Sequence, residues 1–209
     1  LVFLLLQRLL EKLLDQYLWS LVIFAISMVA SPGPANMILL VAGTRFGLRR
    51  SLPFVFGIIV SKQLIIWPIG LGILVFFEYF PETVGIIKGL SFLYIFWLAW
   101  KLSNFKISSR SPLKNVPTFF HGLPVHPTNP KAWAMVSVSF TSYTDSSQNT
   151  LTATFLVAII FITVQLVFHI LWCFSGDRLK QRLEGTKSEI WFMRFLSLLM
   201  LASLLLLLL

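Results

Sequence analysis

Long apolar runs separated by short polar stretches dominate the pattern of hydrophobic and polar positions along the chain. Six runs can be delimited, at about 18–44, 51–77, 84–100, 119–140, 151–174 and 190–209. Periodicity does not separate strand from helix in such runs, but length does, because a membrane strand needs about 9 to 11 residues and a membrane helix about 20. The pattern therefore predicts an all-α integral membrane protein with six transmembrane helices.

Composition supports this prediction. Of the 209 residues, 57% are apolar and 12% are charged, and the mean hydropathy is +0.84, whereas about a quarter of a soluble domain is charged. The charges lie in short loops between apolar runs, which argues against nucleic acid as the partner of a chain with a net charge of +9. The single cysteine, Cys173, excludes an internal disulfide.

Residues 1–16 are extra to the six-helix plan, so we divide the chain into this N-terminal segment and one six-helix domain at 17–209. The segment reads LVFLLLQRLLEKLLDQ, with leucines at helical spacing and interspersed charges. It does not resemble a cleaved signal peptide, because its charges follow the apolar block. It is expected to lie in the membrane interface or to extend the first segment, or else to be foreign to the native chain.

Lysine and arginine positions predict the orientation of the segments, because cytoplasmic loops carry an excess of both. The loops after segments one, three and five are basic: Arg45, Arg49, Arg50; Lys101, Lys106, Arg110, Lys114; and Arg178, Lys180, Arg182, Lys187. The other two loops hold Glu78, Glu82 and Asp145, with Lys88 as the only base nearby. We therefore expect the basic loops in the cytoplasm and both termini outside.

A proline motif interrupts the first segment at Ser31-Pro32-Gly33-Pro34-Ala35-Asn36. Proline removes an N–H group and clashes with the preceding turn. Broken helices persist at membrane depth only where they face protein or a water-filled cavity, and transporters use such breaks to direct half-helix ends at a substrate. The motif favours a functional break, and a packing kink is the alternative.

A second proline motif, His126-Pro127-Thr128-Asn129-Pro130-Lys131, opens the fourth segment. Pro130 suits the first turn of a helix, and Asn129 or Thr128 suits the cap. Three segments per half make the halves antiparallel, so segments one and four correspond. Paired interruptions at corresponding positions predict a 3+3 inverted repeat with Pro-broken helices 1 and 4, and a binding site where the breaks meet.

The residues around the breaks suggest how a zwitterionic amino acid would bind. The first turn of a half-helix offers free N–H groups and partial positive charge to a carboxylate; the expected donors are Ala35, Asn36, Met37, Lys131, Ala132 and Trp133. The asparagine side chains add neutral hydrogen-bonding groups. The candidate substrate-binding residues are Pro32, Gly33, Pro34, Ala35, Asn36, Lys62, Asn129, Pro130 and Lys131.

Three ionisable residues near the predicted site admit more than one interpretation. Lys62 lies near mid-membrane in segment two, where it either lines the pathway, snorkels or pairs with carbonyl groups. Lys131 either contacts the carboxylate or snorkels to the cytoplasmic face. His169 is the candidate proton carrier, with a satisfied interhelical histidine as the alternative. His121 and His126 are placed nearer the cytoplasmic interface, and they are not expected to form a metal site.

The residues SPGPANMILLVAGTRFGLRRSLPFVFGI, GLSFLYIFWLAWKL and FFHGLPVHPTNPKAW resemble the LysE/RhtB family of amino-acid exporters. The resemblance runs from about Tyr17 to the C-terminus and includes Trp172-x-x-x-Gly176. Among its branches, the ending LAWK and the loop after segment one are most similar to exporters of cysteine, O-acetylserine and other small neutral amino acids. The sequence departs from the family at Ser61 and Ser91, where glycine is usual, and at Lys62, where some members carry an acid.

The resemblance implies secondary, ion-coupled export of small amino acids or their derivatives across the bacterial cytoplasmic (inner) membrane. The expected partners are the amino acid, the lipid bilayer and a coupling ion, taken as H+, and a homo-oligomer is left open. No cofactor and no enzymatic activity are expected. A membrane channel and a non-transporting structural membrane protein are the alternatives.

Overall fold

The computed structural model of the chain describes residues 2–73, 79, 81–104, 106, 116–144 and 149–205, with side chains from residue 16 onward except for short gaps within 81–91 and after 202. No strand occurs among these residues. The helices are α1 (Val2–Ala30), α2 (Pro34–Gly70), α3 (Pro81–Ser103), α4 (Phe119–Gly122), α5 (Pro130–Tyr143), α6 (Thr150–Leu183) and α7 (Lys187–Leu205).

The helices follow the apolar runs, and two of them extend beyond the predicted bounds. The backbone of α1 is continuous through the N-terminal segment 1–16, from its second residue onward. Helix α6 continues nine residues beyond the predicted end at 174. The loop charges Glu78, Arg110, Lys114 and Asp145, and the side chains of Lys88 and Ser91, lie outside the described residues.

Two of the described helices, α2 and α6, are long and apolar enough to cross a bilayer, and shorter apolar stretches lie at Gln16–Ala30 and Phe92–Ser103. The helical, apolar architecture of the described residues is consistent with a membrane protein. The number of spans and the inverted repeat stay predictions.

Segments one and two are joined without the loop that the sequence predicts. Helix α2 passes from one to the other at Gly47, whose φ of 75° lies in the left-handed region that favours glycine. The Asp177 carboxylate on α6 accepts a hydrogen bond from the N–H of Leu48 at 3.1 Å. This carboxylate satisfies a backbone donor that the kink frees, so α6 helps to hold the junction.

Three buried apolar clusters hold the helices together. One joins α1, the C-terminal part of α2, α5 and α6; another joins the start of α2 to α3 and α7; the third joins both parts of α2 to α6. Large residues that face outward, such as Trp19, Leu93 and Phe155, are more than half exposed, as expected for side chains that would contact lipid tails.

Glycines allow two very close helix crossings. A methyl group added to Gly43 would overlap the carbonyl oxygen of Cys173, and one added to Gly176 would overlap that of Leu40, so α2 and α6 touch backbone to backbone. Gly57 and Gly122 make the same kind of contact between α2 and α4. Small residues permit this approach where helices pack without a hydrophobic driving force.

Candidate functional site

The first break lies between the end of α1 at Ala30 and the start of α2 at Pro34. The Asn36 amide donates to the carbonyl oxygens of Val29 at 2.7 Å and Ser31 at 2.9 Å. These acceptors belong to the end of α1, where helix carbonyls lack intrahelical partners. Asn36 therefore satisfies the broken end of the helix, while its Oδ1 is buried and has no hydrogen-bond partner among the described residues.

The second break lies in the turns between α4 and α5, and Asn129 caps the start of α5. The side-chain oxygen of Asn129 accepts from the N–H of Lys131 at 3.1 Å. The backbone oxygen of Asn129 accepts from Ala132 at 2.9 Å and, more weakly, from Trp133 at 3.4 Å. The capping position predicted for this residue is the one observed.

The capping bonds correct the expectation about free donors. The N–H groups of Lys131, Ala132 and Trp133 are all occupied by Asn129, and Met37 donates to Gly33 at 2.9 Å. Of the expected donors, Ala35 and Asn36 are the ones whose N–H groups make no hydrogen bond within the described part of the chain. The partial positive charge of a helix start is therefore available at the first break and not at the second.

Lys131 joins the two breaks. Its ammonium group donates to the hydroxyl of Ser31 at 2.6 Å and to the carbonyl of Pro32 at 3.2 Å. Its side chain also passes over Gly33, where an added Cβ would lie 3.4 Å from it. Lys131 thus neither snorkels nor stands free, because it is bound to the end of α1, where a cation is favoured.

Lys62 is the largest side chain that is almost fully buried, with 1% of its surface exposed. Its Nζ lies 3.2 Å from the sulfur of Met135 and 4.9 Å from the ring centre of Phe161. The predicted alternatives of snorkelling and of pairing with a carbonyl are both wrong, because a residue this buried does not reach the interface and its contacts are a sulfur and a ring. Lys62 lines the same cavity as both breaks.

Two histidines and a glutamine complete the polar cluster. His126 follows α4 in the turns and is buried in the protein, with 3% of its surface exposed, and its expected depth near the cytoplasmic interface stays a prediction. Gln165 lies 2.9 Å from His126 Nε2, and the His169 ring stacks on His126 at 5.8 Å between centres. Both Nδ1 atoms lack a partner among the described residues. His121, by contrast, is exposed and bonds Thr118.

Sequence reasoning missed Gln165 and the burial of His126. Gln165 precedes His169 by four residues within the apolar part of α6, so both lie on one helix face, and this spacing was a usable signal. The position of His126 depends on the path of the turns, which no sequence pattern specifies. The N–H of His126 donates to the hydroxyl of Ser61 at 3.2 Å, which fixes the turn against α2.

The cavity where these groups meet is small and basic. Its polar lining consists of Ser31, Asn36, Lys62, His126, Asn129, Lys131 and His169. No aspartate or glutamate lines it among the described residues, and its volume of about 20 Å³ is close to that of a single water. A larger, mostly apolar cavity between α2 and α3, of about 240 Å³, includes neither break, so we place the candidate site at the smaller cavity.

Comparison with known proteins gives the family. The model of the LysE type translocators matches residues 26–209, which include both breaks and every helix after the first. No curated protein and no solved structure matched the chain. Because the matched region covers most of the chain, including all the cavity residues, this protein belongs to the LysE type translocator family of membrane transporters.

Proposed function

We propose that this protein exports small amino acids or their derivatives across the bacterial cytoplasmic membrane as a secondary carrier. The observation that carries the proposal is the meeting of the two helix breaks at one buried polar cavity, with Lys131 of the second break bonded to Ser31 of the first. Half-helix ends that converge at one cavity are the way in which many transporters bind small charged substrates.

The groups in the cavity suit the two charges of an amino acid. Ala35 and Asn36 line the cavity at the positive end of a helix, and their N–H groups, which make no hydrogen bond among the described residues, would receive a carboxylate. The unpartnered Oδ1 of Asn36 would accept a hydrogen bond from the ammonium group. Pro32, Gly33 and Pro34 set the backbone path that brings these groups together, and Asn129 and Pro130 do so for Lys131.

The architecture proposed for this carrier is six spans in a 3+3 inverted repeat. The helix contacts support it. In the first half, α1 and the start of α2 pack on α6, and in the second half, α4 and α5 pack in the corresponding way on the later part of α2. The last helices of the two halves, α3 and α7, pack on each other. With the basic loops in the cytoplasm, both termini face outward.

Transport requires the cavity to open, since about 20 Å³ is far too small for an amino acid. The bonds from Lys131 to Ser31 and Pro32 join the two breaks and would part as they separate. Proton coupling is proposed at His169 together with His126, because both rings are buried and each has a nitrogen without a partner among the described residues.

An efflux screen tests the proposal. Cells or proteoliposomes that contain the full chain are loaded with a panel of labelled amino acids, and saturable efflux of at least one of them is expected. Efflux that rises linearly with concentration would indicate a channel, and no efflux of any amino acid would reject amino-acid export.

A pair of asparagine variants tests the position of the site. Asn129 and Asn149 cap α5 and α6 in the same way, with side-chain oxygens that accept from Lys131 at 3.1 Å and Leu151 at 2.9 Å. Only Asn129 lines the cavity, and Asn149 is exposed. Asn129→Ala should lower efflux strongly and Asn149→Ala should not, although each loses a cap worth about 0.5–2 kcal/mol. Equal losses in both variants would place the site elsewhere.

A further inference from the structure

The two buried lysines in the cavity differ in how their charges are satisfied. Lys131 donates to the Ser31 hydroxyl at 2.6 Å and to the Pro32 carbonyl at 3.2 Å, at the negative end of α1. Lys62 contacts the sulfur of Met135 and the face of Phe161. An ammonium group has three N–H donors, and neither a thioether nor a ring is a strong acceptor for them. One of the two cations is therefore left without an oxygen partner among the described residues.

A buried charge without a partner is among the most unfavourable arrangements in a protein. Lys62 is 1% exposed, so bulk water does not reach it from the surface, and the cavity beside it has room for about one water molecule. The neighbouring groups cannot supply a negative charge either, because the cavity is lined by Lys131, His126 and His169 and by no carboxylate among the described residues. A negative group that satisfies the charged form of Lys62 would therefore come from outside the chain, and a substrate carboxylate is such a group.

We propose that Lys62 makes this site selective for amino acids with a second acidic group, so that the substrate class is net-anionic amino acids such as dicarboxylates. This inference rests on the proposed export function. One carboxylate would bind the N–H groups of Ala35 and Asn36, and the second would bind Lys62. A neutral zwitterion balances its own charges and leaves Lys62 uncompensated, whereas an acidic amino acid brings the additional negative charge.

Matched pairs of competitors test the charge without changing the shape. Aspartate and asparagine, and glutamate and glutamine, differ by an oxygen in place of an NH2 group. With the full chain in proteoliposomes, each is tested for inhibition of labelled-substrate flux. The acid should compete better than its amide by about 10- to 150-fold, the range expected for one hydrogen bond to a charged group.

Substitutions at two lysines assign the selectivity to one side chain. Lys62→Gln should bring the acid-to-amide ratio close to one, and Lys62→Met, which fills the same space without a polar group, should do the same if glutamine destabilises the fold. The control is Lys187→Gln, because Lys187 is exposed at the start of α7, and it should keep the ratio of the parent. Equal competition by acid and amide in the parent, or a ratio that survives both Lys62 substitutions, would overturn the inference.

A binding measurement separates failure of this inference from failure of the export proposal. Thermal unfolding of the purified full chain is followed with each member of the aspartate–asparagine pair. Greater stabilisation by aspartate that disappears in Lys62→Met supports the anion site even if no flux is found, and the absence of flux then counts against export alone. Saturable flux of neutral amino acids with no preference for acids supports export and rejects the role of Lys62.

Discussion

Replacing Asn36 with alanine tests the central claim about the first break, which is that one side chain both holds the end of α1 and faces the cavity. The change removes the amide that donates to Val29 at 2.7 Å and to Ser31 at 2.9 Å. It also removes the Oδ1 atom that has no partner among the described residues. The backbone at this position is helical, so alanine is tolerated there.

The expected loss of stability follows from the two hydrogen bonds. A typical intramolecular hydrogen bond contributes about 0.5–1.5 kcal/mol, so the pair contributes about 1–3 kcal/mol. Because Asn36 is 4% exposed, water is poorly placed to replace the amide at either carbonyl. For a chain of this size, a change of 1 kcal/mol shifts Tm by about 2–4 °C, so Asn36→Ala should lower Tm by about 2–12 °C.

The assay is thermal unfolding of the purified full chain with and without an exported amino acid. In the parent, bound substrate raises Tm because it stabilises the folded state. The stabilisation is about 2.7 kcal/mol when the substrate concentration is a hundred times Kd. Asn36→Ala should start from a lower Tm and also show a smaller rise with substrate. Asn149→Ala is the control, because it removes an exposed cap of α6 and should leave the substrate-induced rise unchanged.

Two results would contradict this reasoning. An unchanged Tm without substrate would mean that the bonds to Val29 and Ser31 do not stabilise the break. A lower Tm with a full substrate-induced rise would confine Asn36 to its structural role and leave the Ala35 N–H and the Asn36 N–H as the supported contacts.

Three further outcomes are expected. Lys131→Met keeps the approximate length of the side chain but removes its hydrogen bonds to the end of α1. It should reduce efflux and increase the labelling of cysteines placed in the cavity, and unaltered labelling would show that Lys131 does not join the breaks. Gly57→Ala should lower Tm by several degrees, since a methyl group there meets the backbone of α4, and an unaffected Tm would argue against this crossing. In a Cys173→Ala background, cysteine at Thr150 should be labelled from outside and cysteine at Thr186 from the cytoplasm; the reverse pattern would invert the proposed orientation.

The sequence is sufficient to locate the breaks, because their cause is local. Pro34 and Pro130 lack the N–H group that a continuous helix needs, and the helices begin at these residues. The apolar runs likewise indicate the helices, because their length alone separates helix from membrane strand. The cap at Asn129 was also predictable, since asparagine before proline is a local signal.

The composition of the cavity could not be predicted from local signals. Whether Lys131 reaches α1 or the interface depends on the distance between segments a hundred residues apart. His126 is buried because Ser61 holds its N–H from another helix, and Gly47 replaces a loop with a kink because Asp177 on α6 satisfies the freed donor. In each case a distant part of the chain decides between conformations that the local sequence leaves equally open.

The glycine crossings determine how this molecule can change shape. At Gly43 with Gly176, and at Gly57 with Gly122, backbones touch with no side chain between them. A helix cannot translate along such a contact, because the next residue would drive a Cβ into a carbonyl group of its neighbour. It can rotate about the contact, which keeps the glycine opposite the same carbonyl. The crossings therefore act as pivots, and a small rotation about them produces its largest displacement at the free ends of the half-helices, where the two breaks meet.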